Sequence, residues 1–138
     1  MQTDMLIGNR FVAAEGPAEA VLNPRTGVPI VDLAEASGEQ VAAAVAAARA
    51  AFAGWARTTP AERAAALLRI ADRIAAEAGA FAALEALNCG KPINAVTGDE
   101  IPAIVDCWRF FAGAVRCQHG ALAGEYMAGH TSMIRRDP

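Results

Sequence analysis

Asp99-Glu100-Ile101-Pro102-Ala103-Ile104-Val105-Asp106-Cys107-Trp108-Arg109-Phe110-Phe111-Ala112-Gly113 is the stretch that decides how this chain is read. Proline is tolerated at a first helical position, so Pro102 marks a helix start. Asp99 and Glu100 precede it, where carboxylates suit the positive end of the helix dipole. Ile104, Trp108, Phe111 and Val115 recur at helical spacing and predict one apolar stripe facing a core. Burial is the ordinary fate of such Trp and Phe side chains. Cys107 and Cys117 fall inside this helix as packing thiols, and Asp106 reads as a structural hydrogen-bond or ion-pair partner. The helix is expected to run to about Gln118, with Gly120 as its stop.

Composition narrows the setting. A length of 138 residues suits one domain. The net charge of −3 argues against nucleic acid, which requires concentrated positive charge. Apolar runs fall short of a membrane span. The first residues lack the basic-then-apolar build of a secretory signal. The three cysteines, Cys89, Cys107 and Cys117, have no paired ligand spacing and read as reduced thiols in a cytoplasm. Alanine inflates the hydrophobic fraction of 54%, so the core rests on few bulky side chains.

Before the central stretch, the chain opens with ribbons. Leu6-Ile7-Gly8-Asn9-Arg10-Phe11-Val12 reads as a hairpin, since Gly-Asn accepts the positive φ angles of a tight turn. Residues 19–22 are an extended run stopped at Asn23-Pro24. Residues 28–34 follow as a strand, with Pro29 at an edge or among its first residues. Ser37 with Gln40 is a capping box, and Val41, Val45, Ala48 and Phe52 trace one helix face beyond it. Thr59-Pro60-Ala61-Glu62 is a second box, with Leu67, Ala71, Ile74 and Ala78 as its buried line and Arg63, Arg69, Arg73 and Glu77 off it. Gly79 is expected to interrupt or bend that helix. Phe81, Leu84 and Leu87 then lead to Gly90, a left-handed terminator with Pro92 beyond. Residues 94–98 are a helical turn or a loop. After Gly120, 121–127 and 130–136 read as two extended segments around Ala128-Gly129.

Complete catalytic motifs are missing. No G-x-G-x-x-G or G-x-x-x-x-G-K occurs. His119 and His130 are the two histidines, both in polar, glycine-rich surroundings, and neither completes a nucleophilic triad. Cys89 sits at the electronegative end of its helix, a poor setting for a thiolate.

Taken in order, Leu-Ile-Gly-Asn-Arg-Phe-Val, Val-Leu-Asn-Pro-Arg-Thr-Gly, Ala-Ala-Phe-Ala-Gly-Trp-Ala, Leu-Glu-Ala-Leu-Asn-Cys-Gly-Lys-Pro, Trp-Arg-Phe-Phe-Ala-Gly and Ile-Arg-Arg-Asp-Pro resemble the opening of an NAD-dependent aldehyde dehydrogenase. The motifs are collinear over essentially the whole chain. Asn-Cys-Gly-Lys-Pro, Asp-Glu-Ile-Pro-Ala-Ile-Val-Asp and Gly-His-Thr-Ser-Met-Ile-Arg-Arg-Asp-Pro most resemble the bacterial gamma-aminobutyraldehyde dehydrogenases of putrescine breakdown.

The resemblance implies an α/β, aldehyde dehydrogenase-like fold of which these residues are an N-terminal fragment. Residues 1–120 would be the front of the dinucleotide-binding domain, and 121–138 the start of a bridging hairpin. The NAD-binding segments, the general-base glutamate and the nucleophilic cysteine would lie beyond Pro138, so no catalytic or cofactor-binding residue is assigned here and the chain alone is expected to be inactive. Asp99 and Glu100 would stand at the substrate-tunnel mouth and attract an ammonium, with Trp108 as tunnel wall. The competing reading is that they only cap the helix. Backbone oxygens of Val21 and Leu22, with Asn88, would hold a monovalent cation. The tail 121–136 would pair with another subunit in a homo-oligomer, leaving a sticky edge in the isolated chain. A rival reading makes the chain a stand-alone truncated paralogue, an interaction module that pairs with full-length subunits.

Overall fold

The computed structural model describes residues 1–117 and 124–132. Among these residues the strands form three separate two-stranded antiparallel ribbons, alongside a set of helices. In the first, β1 (Met5–Ile7) pairs with β2 (Arg10–Val12). Gly8 and Asn9 take φ values of 56° and 63°, as a two-residue turn matched to strand twist requires. The second joins β3 (Ala18–Leu22) to β4 (Pro29–Ala34), with Pro29 at the first strand position. Its ladder slips between Val21 and Leu22, where Leu22 opposes a proline that has no N–H to give. Gly16 prolongs the pairing by donating to the Glu35 carbonyl at 2.8 Å. A Cβ there would meet that same oxygen at 2.7 Å, so the approach requires glycine. The third ribbon, β5 (Gly124–Met127) with β6 (His130–Ser132), turns through Gly129 at φ 77°.

Two-stranded ribbons are marginal alone, so stability rests on the helices. Both predicted capping boxes form: Ser37 with Gln40 opens α1 (Gly38–Trp55), and Thr59 with Glu62 opens α2 (Pro60–Ala76). The break after α2 falls at Glu77 (φ −105°, ψ 17°), not at the expected Gly79. Gly79 instead occupies the first turn of α3 (Ala78–Cys89), where a residue with poor helix propensity costs least. Gly90 ends α3 in the left-handed region at φ 71°, as expected.

From Ile93 onward the structure departs from the sequence reading. Helical backbone runs through α4 (Ile93–Ala95), a π-helical turn (Val96–Glu100) and α5 (Ile101–Ala114). Asp99 and Glu100 therefore lie inside a helical run and do not cap its start. Pro102 explains the wide turn. It has no N–H for the Gly98 carbonyl, and its ring would collide with that carbonyl in a regular α-helix. The Ile101 N–H reaches back five residues to Val96 instead. At the far end α5 stops at Ala114 and tightens through Val115, Arg116 and Cys117, so Cys117 lies past the helix. Gln118, His119 and Gly120 lie outside the described residues, as do 121–123 and 133–138 of the tail segments.

The core is small and helical. Ala71, Ala82, Val96, Ile101 and Val105 form the buried cluster, with Ile74, Ala78 and Trp108 packed on it. The predicted buried line is borne out: in α2 Ala71 is fully buried and Leu67 and Ile74 half-buried, and Ala78, half-buried too, falls at the start of α3. The stripe on α5 is not. Ile104 is 42% and Phe111 55% exposed, while Ile101, Val105 and Ala112 are buried. Apolar residues surround α5 on most sides, so periodicity alone did not select a face. The small Ala71 and Ala82 surfaces let the edge formed by Ile101 and Val105 approach most closely. Val41, Val45, Phe52, Phe81, Leu84 and Leu87 are likewise exposed in this chain, and so are Cys107 and Cys117, expected as packing thiols.

Candidate functional site

Chemistry-bearing side chains gather where α3 ends and the π-helical turn begins. Gly90 reverses the chain and Pro24 seats against it; a Cβ on Gly90 would stand 2.9 Å from Pro24 Cγ. Lys91 follows at once. Its Nζ donates to Glu85 Oε1 at 2.8 Å and to Glu100 Oε2 at 2.8 Å, tying the end of α3 to the π-helical turn. The two carboxylates hold the Lys91 ammonium well above its usual range, and the Lys91 hydrogen bond draws the Glu85 carboxyl below its usual value. All three side chains are two-fifths exposed or nearly so, so the bridge is worth more as a geometric tie than as stability.

Asp99 and Glu100 thus differ despite being neighbours. Glu100 is half-buried and paired; Asp99 is exposed and makes no ion pair among the described residues. Trp108 is half-buried against the core cluster further along α5 and does not join the carboxylates in that bridge. Asp106 lies on the wall of an open groove of about 430 Å³ between α2 and α5, with Ile101, Pro102 and Arg109. The partner of Arg109 is Asp72, at 3.1 Å, and not Asp106. Sequence reasoning missed Lys91, Glu85 and Asp72. The Gly90 stop was the signal for Lys91, since a chain reversal there returns its side chain to both flanking helices.

Val21, Leu22 and Asn88 fall on two elements joined by the Pro24–Gly90 contact. Asn88 is exposed, with Nδ2 3.8 Å from Cys89 Sγ. The strand irregularity at Val21 and Leu22 interrupts the ladder where backbone oxygens would be needed. Among the described residues, no group of three or more His, Cys, Asp or Glu side chains is arranged to hold a metal ion.

The described strands form two-stranded antiparallel ribbons. The free thiols Cys89, Cys107 and Cys117 are exposed. His130 is exposed, with Nδ1 facing the Ala128 carbonyl at 3.2 Å. No helix among the described residues is long and apolar enough to cross a membrane.

Comparison with known proteins gives this arrangement its context. A probable aldehyde dehydrogenase of Mycobacterium tuberculosis is 44% identical over 118 residues, covering 85% of this chain and 23% of its own length. Acetaldehyde dehydrogenase 2 of Cupriavidus necator is 40% identical over 123 residues, covering 88% of this chain and 24% of its own. The chain therefore spans about a quarter of the length of the curated relatives it matches. Among solved structures, PnpE in complex with nicotinamide adenine dinucleotide superposes with a TM-score of 0.87 at 38% identity, over 94% of this chain and 26% of that one. The gamma-glutamyl-gamma-aminobutyraldehyde dehydrogenase of Burkholderia cenocepacia J2315 superposes with a TM-score of 0.82 at 32% identity, over 88% of this chain and 25% of that one. The model of the aldehyde dehydrogenase family matches residues 11–138, and the chain belongs to that family.

Proposed function

We propose that these residues are the N-terminal part of an NAD-dependent oxidoreductase that converts gamma-aminobutyraldehyde to its carboxylate. Family membership supports aldehyde oxidation. The observation that carries the substrate class is the exposed Asp99 carboxylate, without an ion-pair partner among the described residues, on the π-helical turn, a kind of irregularity frequent at functional sites. An ammonium on the substrate's far end would be drawn to it, with Glu100 as its neighbour and Trp108 on the wall behind. The reacting thiolate, the base and the NAD site belong to other parts of the protein, and the chain by itself does not turn over aldehyde. In the same reading, oxygens of Val21, Leu22 and Asn88 hold a monovalent cation, the ribbon in 121–136 pairs with another subunit, and the protein is cytoplasmic.

The test is steady-state kinetics on the complete enzyme with gamma-aminobutyraldehyde and neutral butyraldehyde. Changing Asp99→Asn and Glu100→Gln together is expected to raise KM for the cationic aldehyde about fivefold, equivalent to about 1 kcal/mol for a surface charge pair, and to leave the neutral one nearly unchanged. Equal KM ratios before and after the change would exclude this substrate class.

A further inference from the structure

The bridge Glu85–Lys91–Glu100 bears on how much charge the π-helical turn presents. One ammonium lies 2.8 Å from an oxygen of each carboxylate, one contributed by α3 and the other by the last residue of the turn. The negative charge of Glu100 is therefore offset where it stands, and its side chain is drawn toward Gly90. Asp99, one residue earlier, has no such partner among the described residues and is exposed. Asp106 and Arg109 line the groove about two to three turns further along, and Arg109 is held by Asp72.

We infer that Lys91 is a specificity-determining positioning residue. By holding Glu100 against the end of α3 it leaves Asp99 as the one carboxylate of the π-helical turn without an ion-pair partner among the described residues, and so open to a cationic aldehyde. This rests on the aminoaldehyde reading above. Lys91 touches neither the substrate nor the reacting atoms; it acts through Glu100. Removing its ammonium would release Glu100, add a second carboxylate to the turn and sharpen the preference for cationic over neutral aldehydes.

The experiment compares the complete enzyme with its Lys91→Met and Lys91→Arg variants and the double change Lys91→Met with Glu100→Gln. Gamma-aminobutyraldehyde and butyraldehyde are the probes, at low and high ionic strength. Lys91→Met is expected to lower the KM ratio of cationic to neutral aldehyde about two- to fivefold, an effect that salt screens. Lys91→Arg retains the parent ratio because the positive charge is kept, and adding Glu100→Gln to Lys91→Met restores it. A purely structural lysine would shift both aldehydes alike. If the parent enzyme prefers the cationic aldehyde and Lys91→Met leaves the ratio unaltered, this inference fails and the substrate reading stands. If the parent shows no preference and Lys91→Met creates one, Asp99 does not read the substrate's charge in the parent enzyme, and the substrate reading and this inference fail together. No preference in either overturns both.

Discussion

Gln40 donates from Nε2 to the carbonyl of Ala13 at 2.8 Å, joining the start of α1 to the segment that links the first two ribbons. Its Oε1 accepts from the N–H groups of Ser37 at 3.0 Å and Glu15 at 3.2 Å. The side chain is buried, so one amide closes a capping box and also ties the ribbons to the helix.

Gln40→Leu should therefore cost more than a lost cap. It strands the Ala13 carbonyl and the Glu15 N–H, both in part-buried bonds of exposed residues, a penalty at the low end of about 1–3 kcal/mol for a polar group left unpaired. Hydrogen exchange at the Glu15 and Ser37 amides is expected to accelerate about 5- to 100-fold, while amides of α5 keep their protection. Unchanged exchange at Glu15 would show that the tie contributes nothing.

Gly90→Ala combines two conflicts. Its φ of 71° penalises any Cβ, by about 1–2 kcal/mol, and that Cβ would press on Pro24 Cγ at 2.9 Å. Limited proteolysis between Asn88 and Ile93 should quicken roughly tenfold. Adding Pro24→Ala relieves the contact but not the dihedral strain, so only part of the resistance should return.

Pro102→Ala supplies the missing N–H and removes the ring. A crystal structure of the variant is expected to show the wide turn replaced by regular i to i−4 bonding, with the N–H of the substituted alanine donating to the Gly98 carbonyl. Asp99 and Glu100 would rotate about the helix axis and the Lys91–Glu100 pair would break. Persistence of the π-helical turn would mean that packing of Val96, and not the proline, imposes it.

Glu62 gives a pH dependence of known sign. Its Oε2 accepts from the Thr59 N–H at 2.7 Å and Oγ1 at 2.9 Å, which lowers its pKa below the ordinary 4.5. A depressed carboxyl stabilises the fold above its unfolded value, and that contribution fades as pH falls through the folded one. The start of α2 should fray below about pH 4.5, read as loss of protection at the Thr59 and Glu62 amides. Glu62→Gln should keep the box and flatten this profile.

What the sequence determined on its own was local. Ser37 with Gln40, Thr59 with Glu62, Gly8-Asn9 and Gly90 each satisfy or reverse backbone within a few residues, so their chemistry needs no distant partner. The collinear motifs carried the family for the same reason, being written residue by residue. Tertiary structure decided which face of α5 is buried, because apolar residues surround that helix and only the small surfaces of Ala71 and Ala82 select the edge of Ile101 and Val105. It also decided that Pro102 sits within a helical run and that Glu100 belongs to Lys91. Those outcomes depend on side chains from separate turns and helices meeting across a chain reversal, and spacing along the sequence does not encode such distances.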